Sequence, residues 1–459
     1  MRASLLFLAV VVAGCVQPSA SLDPAALLGA GGLVCGEPCD VAVERRAGSA
    51  SEPALAADPG DPLHLVAGSI QWEPLGPDTD RSWLYAHVSL DGGATWETSR
   101  LPGGLDVPPD HPLFGATQMA DPWVGILPDG TVLYTGLAFH GARARPAGTL
   151  LFPLVDLTAF VARSTDGGLT YPDVTVLDAG MGGFSWVVAG PVGAPVFTPG
   201  MYADSTRLAT GPDGSAVVFW DWARVPPPED PGGVFDLYLR ASVSMDGGVT
   251  WSEAVQLPTL WGVNAAPAIA PDGTIYAAFA GGPSEESGTY LSVSRDRGAT
   301  WESFEAAIGN AEDYAYLALV PREGGVRAVV TYVEPRGDGD GVPVLQWSDD
   351  EGRTWSQPLA LDEPAAAGRM LPNLAADGNG RVVVGYYYPV GDGEEFRAVA
   401  WDGERIAGPV ALNRQAMAPG GIKLHYVGLA GLPEGAFAVW IGGDAPETDV
   451  HGSRVGPTT

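Results

Sequence analysis

The chain has 459 residues, among them 63 glycines and 41 prolines, and 46% are hydrophobic against 17% charged. That balance excludes a disordered polymer and points to short strands joined by many tight turns. Acids outnumber bases 55 to 24, a formal net charge of -31 with Lys423 as the one lysine; such a surface repels phosphate backbones and excludes nucleic acid as a partner.

The first element is "MRASLLFLAVVVAGCVQ" (1–17), where Arg2 precedes an apolar run too short to cross a bilayer as a mature helix. "VAGC" (12–15) resembles a bacterial-type lipobox, which implies removal of residues 1–14 and a lipid on Cys15. Ordinary secretion with cleavage near Ala20 is the alternative, and both place the protein outside the cytoplasm. One lipid-modified residue anchors a protein to a membrane without spanning it. Residues 15–38 then read as an anchor linker and 39–459 as a single domain. Within "VCGEPCD", Cys35 and Cys39 read as a local disulfide in an oxidising compartment. A metal site there would need two further ligands, and none of the six histidines is near.

Next comes a repeated pair of apolar strands around a Gly turn, at 53–70, 123–139, 207–222, 267–280, 317–333, 372–388 and 426–441. After each of the first five stands an eight-residue turn: "SLDGGATW" (89–96), "STDGGLTY" (164–171), "SMDGGVTW" (244–251), "SRDRGATW" (294–301) and "SDDEGRTW" (348–355). The sixth pair leads to "VAWDGERI" (399–406), which keeps only Asp402 and Gly403 of the pattern. In each full copy the aspartate (Asp91, Asp166, Asp246, Asp296, Asp350) is set to accept its own loop's N–H groups, and the fifth-position Gly to take positive φ. The aromatic (Trp96, Tyr171, Trp251, Trp301, Trp355) is placed to fold onto the hairpin. Every position has a structural task, so no nucleophile or base is left over.

Five matches to Ser-x-Asp-x-Gly-x-Thr-aromatic resemble the Asp box, or BNR repeat, of the sialidase superfamily. The resemblance implies an all-β propeller of four-stranded antiparallel blades, with the boxes on the periphery away from the active face. Seven blades are expected, with six as the alternative. The seventh pair ends too near the C-terminus for a fourth strand, so "DVAVERR" (40–46) is expected to supply it and close the ring.

The family's catalytic motifs are not matched. Its first substrate-carboxylate arginine opens an Arg-Ile-Pro motif, and here Ser51 and Glu52 precede Pro53 instead. "DYAYLAL" (313–319) loosely resembles its Tyr-bearing strand, which makes Tyr314 the candidate nucleophile and Asp121 and Asp204 candidate acid/base groups. Arg207, Asp313, Arg369, Lys423 and His425 complete a mixed-charge set near the starts of the innermost strands, suited to a hydroxylated or charged ligand. The acidic loop "RGDGDG" (336–341) offers oxygen ligands to Ca²⁺ but lacks EF-hand spacing, and neither cofactor nor metal site is expected. Three readings follow for a monomer: a glycan or protein binder acting through its central face, an exo-acting glycoside hydrolase of sialidase type (or another hydrolase or lyase), and a scaffold in an envelope complex.

Overall fold

Turn-rich composition becomes short antiparallel strands throughout. The computed structural model describes residues 32–44, 49–76, 79–141, 145–146, 155–189, 192–226, 236–258, 262–281, 288–305, 315–337, 339–366, 370–414, 417, 426–443 and 448–457, and among these no helix occurs.

Sheet I comprises Ala50–Ala57, Leu65–Gly76, Thr79–Ser89 and Glu97–Arg100, with Arg145–Pro146 paired to the third strand. Sheet II runs from Ala116–Ile126 through Val132–His140, Val155–Ser164, Asp173–Ala189, Val192–Thr210, Ala216–Val225 and Asp236–Ser244 to Val255–Gln256. Sheet III holds Gly262–Ile269, Ile275–Gly281, Gly288–Ser294 and Glu302–Glu305. Sheet IV holds Tyr316–Arg322, Gly325–Gly337, Asp340–Ser348 and Leu359–Ala360, with Ala365–Ala366 at the side. Sheet V holds Asn373–Ala376, Val382–Val390, Gly393–Trp401 and Ile406–Ala411. Sheet VI holds Gly428–Gly431, Ala436–Gly442, Asp449–Pro457 and, outermost, the N-terminal strand Leu33–Glu44.

The innermost strands stand side by side in chain order. Ala50–Ala57 neighbours Ala116–Ile126, then come Val192–Thr210, Gly262–Ile269, Tyr316–Arg322, Asn373–Ala376 and Gly428–Gly431, which touches Ala50–Ala57 again. This is an all-β propeller of small antiparallel sheets. Separate four-stranded sheets are not what forms everywhere: Asp173–Ala189 turns back directly along Val192–Thr210, and this long hairpin merges two expected units into the eight-stranded sheet II. Six hydrogen-bonded sheets result among the described residues.

Second strands such as Ile275–Gly281 and Ala436–Gly442 are buried along their whole length, because both faces of each sheet are covered and no polar alternation is required. The core therefore lies between neighbouring sheets. Leu55, Leu65 and Ala67 of sheet I pack with Phe437, Val439 and Ile441 of sheet VI. Phe219 and Leu239 of sheet II pack with Ile275 and Phe279 of sheet III.

The N-terminal strand begins at Leu33, upstream of the boundary expected at residue 39. Cys35 and Cys39 form a disulfide inside it, with Cα atoms 5.7 Å apart. The pairing with Asp449–Pro457 slips between Gly36 and Val41, and there Asp40 takes φ 51°. Its N–H donates to Ser453 Oγ (2.7 Å), and its carboxylate meets His451 Nδ1 (2.8 Å) and the Arg414 N–H (2.7 Å).

The five aspartate turns share one bonding pattern. At Asp246, the Ser244 hydroxyl and the Thr250 N–H donate to Oδ1 (2.9 and 2.8 Å), and the Thr250 hydroxyl donates to Oδ2 (2.6 Å). The Gly248 N–H donates to Ser244 Oγ (2.9 Å) and the Trp251 indole N–H to the Gly248 carbonyl (3.2 Å). Equivalent carboxylate bonds recur at Asp91, Asp166, Asp296 and Asp350. The aromatics reach past their own hairpins: Trp96 contacts Phe437 of sheet VI at 5.8 Å, and Trp301 contacts Phe219 of sheet II at 5.3 Å. The fifth-position glycines do the same. A Cβ on Gly298 (φ 87°) would lie 2.6 Å from Val243 in sheet II, and one on Gly352 (φ 90°) 2.9 Å from Leu291 in sheet III. The turn thus closes its own loop and abuts the preceding unit. The degenerate copy at Asp402 keeps two loop bonds, from the N–H groups of Glu404 and Arg405.

Candidate functional site

Four innermost strands begin with the same irregularity. Their register slips between Ser51 and Ala54, Ala120 and Trp123, Asp204 and Arg207, and Val263 and Ala266. At each slip one non-glycine residue is left-handed: Glu52 (φ 54°), Asp121 (55°), Ser205 (51°) and Asn264 (57°). Asp and Asn tolerate this region better than most residues. Bulges re-aim side chains and concentrate where strain serves a purpose. Here they turn polar groups from successive strands toward one another at one end of the central axis.

Bonds between neighbours hold the group. Glu52 Oε2 accepts the Asp121 N–H (3.2 Å), and Asp221 accepts the Asn264 N–H (2.9 Å to Oδ1). Thr206 Oγ1 donates to the Asp121 carbonyl (2.9 Å), and the Tyr426 hydroxyl donates to Asp121 Oδ1 (2.7 Å). Ser205 Oγ bonds to Asn264 Oδ1 (2.5 Å) and lies 3.3 Å from the Tyr426 hydroxyl. Arg207, 1% exposed, donates to the Thr206 carbonyl at 3.0 Å. Its guanidinium lies 3.9 Å from the Tyr426 ring centroid and 4.6 Å from that of Trp123. Trp123 in turn stacks on Tyr316 at 6.2 Å and meets Tyr426 edge-on at 6.2 Å.

Glu52, Asp204 and Asp221 all feel the charge of the buried Arg207 guanidinium, and Asp121 joins them through its bonds to Glu52 and Tyr426. Burial, and next the Asp121 carboxylate, hold Glu52 well above the ordinary glutamate range. Asp204 is pushed up to about 8, by burial first and then by repulsion from Asp121, to which its carboxyl is also hydrogen-bonded. Asp221 is raised by burial and then by Asp204. Burial raises Tyr316 too, with nearby Arg207 opposing. Desolvation and like charge both favour protons staying on such a group. Behind it along the axis lies a cavity of ≈ 270 Å³ lined by Ala56, Trp123, Leu208, Tyr316, Leu374 and Leu429, among others. No cluster of three or more His, Cys, Asp or Glu able to hold a metal ion occurs among the described residues.

Of the residues singled out from the sequence, Asp121, Asp204 and Arg207 meet in this group. Tyr314, Asp313, Arg369, Lys423 and His425 lie outside the described residues, as does Cys15. The rings of Tyr426 and Trp123 cover the faces of Arg207. Glu52, which with Ser51 stands in place of the Arg-Ile pair of the motif, is a full member. Asp221, Asn264, Ser205, Tyr316 and Tyr426 were not anticipated. The signal for Asp221 was its setting in "FWDWA" (219–223), one carboxylate between two tryptophans in an apolar strand. The signal for Tyr426 was a tyrosine opening the last innermost strand.

No protein-family model matches the chain, and no curated protein matches it. Among solved structures, it is similar to a protein of unknown function from Dyadobacter fermentans, at 15% identity and TM-score 0.51, over 93% of this chain and 100% of that one. It is also similar to Trypanosoma rangeli sialidase in complex with 2,3-difluorosialic acid, at 14% identity and TM-score 0.44, over 90% of this chain and 54% of that one. A third is the GH93 alpha-L-arabinofuranosidase of Fusarium graminearum in complex with arabinobiose, at 14% identity and TM-score 0.46, over 76% and 92%. The chain spans about half the length of the trypanosomal sialidase. These likenesses concern the propeller fold.

Proposed function

We propose that the chain is an exported, lipid-anchored propeller, sialidase-like in fold, that binds a glycan at the bulged end of its central channel. The supporting observation is the convergence there of Glu52, Asp121, Asp204 and Asp221 with Trp123, Tyr316 and Tyr426. Carboxyl groups accept hydrogen bonds from sugar hydroxyls, and aromatic faces cover the apolar side of a pyranose, which is the mixture that concave carbohydrate sites use. On this reading the scaffold is seven units, with sheet II counted as two and the N-terminal strand completing the ring. The N-terminal "VAGC" motif supports the anchor and a place outside the cytoplasm.

Binding is preferred to hydrolysis because Ser51 and Glu52 stand where the sialidase Arg-Ile-Pro motif carries its carboxylate-gripping arginine. One observation favours hydrolysis as a second reading: Asp204, held near 8, carries at neutral pH the proton a general acid needs.

Screening the full-length protein on a glycan array, with tryptophan fluorescence as the solution readout, tests the proposal. Saturable glycan binding lost in Trp123→Ala is the expected result. Co-purification of a stable envelope protein with no glycan binding would replace it with the scaffold reading. Turnover of an aryl glycoside or sialoside, abolished by Asp204→Asn or Tyr314→Phe, would replace it with the hydrolase reading.

A further inference from the structure

We infer that the aspartate-turn end of the propeller is its membrane face, seated on a zwitterionic lipid surface through the first three turns. The bulged end then points away from the membrane; this rests on the lipid-anchored reading above. Strand direction is the first argument. In sheet III, Ile269, Ile275 and Ser294 lie level across the first three strands, and Ser294 opens an aspartate turn. First strands therefore begin at the bulged end and finish at the aspartate-turn end. In sheet VI, Gly431, Ala436, Val455 and Cys35 lie level in the same way. The N-terminal strand thus enters at the aspartate-turn end, while Glu44, opposite Val450, leads toward Ala50 at the bulged end. A flexible coil as long as the segment between Cys15 and Leu33 spans about 23 Å r.m.s., less than the about 36 Å that the strand Leu33–Glu44 covers. A lipid on Cys15 therefore holds the aspartate-turn end nearer the bilayer than the bulged end.

The second argument is what that end exposes. The second and sixth positions of the turns vary: Leu90 and Ala94 stand there in the first turn and Met245 and Val249 in the third, against Arg295 in the fourth and Asp349 and Arg353 in the fifth. Leu90 is 67% exposed and Val249 57%, and Leu63 and Met245 are exposed with them. These turns adjoin one another. The Leu63 carbonyl accepts the Gly92 N–H of the first turn (2.9 Å), and the neighbouring His64 Nε2 lies 2.9 Å from the Gly167 carbonyl of the second. The first turn also meets Phe437 of sheet VI, the sheet through which the chain enters. Leu105 and Met201, toward the bulged end, are exposed as well, so apolar surface alone does not choose the face; the entry of the chain does. The turn carboxylates and the net charge of -31 oppose an anionic surface and leave a zwitterionic one, into whose headgroup layer exposed apolar side chains insert.

The test places the full-length protein, detergent-extracted from bacterial membranes, in phosphatidylcholine vesicles that contain a headgroup-nitroxide lipid. With Cys15 lipidated and Cys35 bridged to Cys39, an introduced cysteine is the one free thiol, and a fluorophore is attached at Ala94→Cys or at Leu105→Cys. The expected result is quenching at least threefold stronger at position 94 than at 105. Equal or reversed quenching overturns the inference. Leu90→Asp with Met245→Asp should halve the quenching at 94, and an unchanged value overturns the apolar seat. Should that variant fold poorly, the ratio between the two labels in the otherwise unaltered protein decides. A dimer in detergent by light scattering, lost in the same double variant, would assign the sector to a second copy and likewise overturn the inference. Mass spectrometry of the N-terminal peptide keeps the two failures apart: Cys15 without lipid overturns the anchor reading, whereas lipidated Cys15 with reversed quenching overturns the orientation alone.

Discussion

Gly298 sits where an aspartate turn touches the preceding sheet, and replacing it with alanine tests whether these turns fasten sheets to one another. Two costs are combined at this position. Holding a non-glycine residue at φ 87° costs about 1–2 kcal/mol. The added methyl would also lie 2.6 Å from Val243 Cγ2, and forcing such overlap in a packed interface costs about 1–3 kcal/mol. Gly214 supplies the control, since its φ is 83° and a Cβ there meets nothing within 4 Å. Gly214→Ala should therefore lose only the backbone part, and Gly298→Ala about 1–3 kcal/mol more. Urea denaturation midpoints, checked for equal slopes, measure the difference. Adding Val243→Ala to Gly298→Ala should restore part of the loss, giving a coupling of about 1–2 kcal/mol in the double-mutant cycle. Equal losses at Gly298 and Gly214, with no coupling to Val243, would refute the view that the turn fastens one sheet to the next.

Asp204→Asn should flatten the pH dependence of stability on the alkaline side. The folded-state value of about 8 lies above the ordinary 3.8, so this group's contribution is full below about 4 and lost as pH rises through 8. Linkage over that interval bounds the effect at roughly 6 kcal/mol, and sharing of the proton with Asp121 reduces the expected gain at pH 8.5 to about 2–4 kcal/mol; parallel profiles for variant and parent would contradict it. The aspartate turns carry the opposite sign. Asp166 is lowered to about 2, with hydrogen bonds from Thr170 and Ser164 outweighing burial, so its contribution is present above about 4 and lost as pH falls toward 2. Acid unfolding followed by circular dichroism should be blunted below pH 4 in Asp166→Asn, and an unchanged acid limb would count against it. Reduction of Cys35–Cys39, or the double alanine variant, should cost about 2 kcal/mol for so short a loop. The loss should register as faster amide exchange across 33–44 and 449–457; unaltered exchange there would show that the bond does not hold the strand.

Legibility followed the range over which each feature is determined. The aspartate turns are local: donor, acceptor and positive-φ glycine fall within eight residues, so their hydrogen bonds were readable one by one. Strand pairs around short turns were equally local, and the turn aspartates (Asp129 accepting from Thr131, Asp272 from Thr274) bond as that reading requires. What the aromatics and box glycines touch was not readable, because Phe437 and Val243 belong to other sheets. The merging of two units into sheet II was hidden too, since nothing in "MGGFSWVVAGPVGAPVFTPGM" (181–201) distinguishes a loop from a continued hairpin. The site was legible only in part. Asp121, Asp204 and Arg207 were found by looking near strand starts, whereas Asp221 projects from a second strand and Tyr426 comes from the far end of the chain. The sequence marks Ser51 and Glu52 only as the loss of the Arg-Ile pair; the neighbours of Glu52 show it to be part of an acidic assembly. The aspartate in "DYAYLAL" lies outside the described residues, and of that stretch it is Tyr316 that stands beside Arg207.

The bond between Asp40 and Ser453 joins residues 413 positions apart, and it sits in a ladder that pairs the first strand with one of the last. Translation delivers these two partners hundreds of residues apart, so a chain stopped between them carries an orphaned strand and an unpaired sheet margin. Such margins template self-association. Chains halted before Ser453 should therefore aggregate or be degraded, while chains carrying both strands are spared.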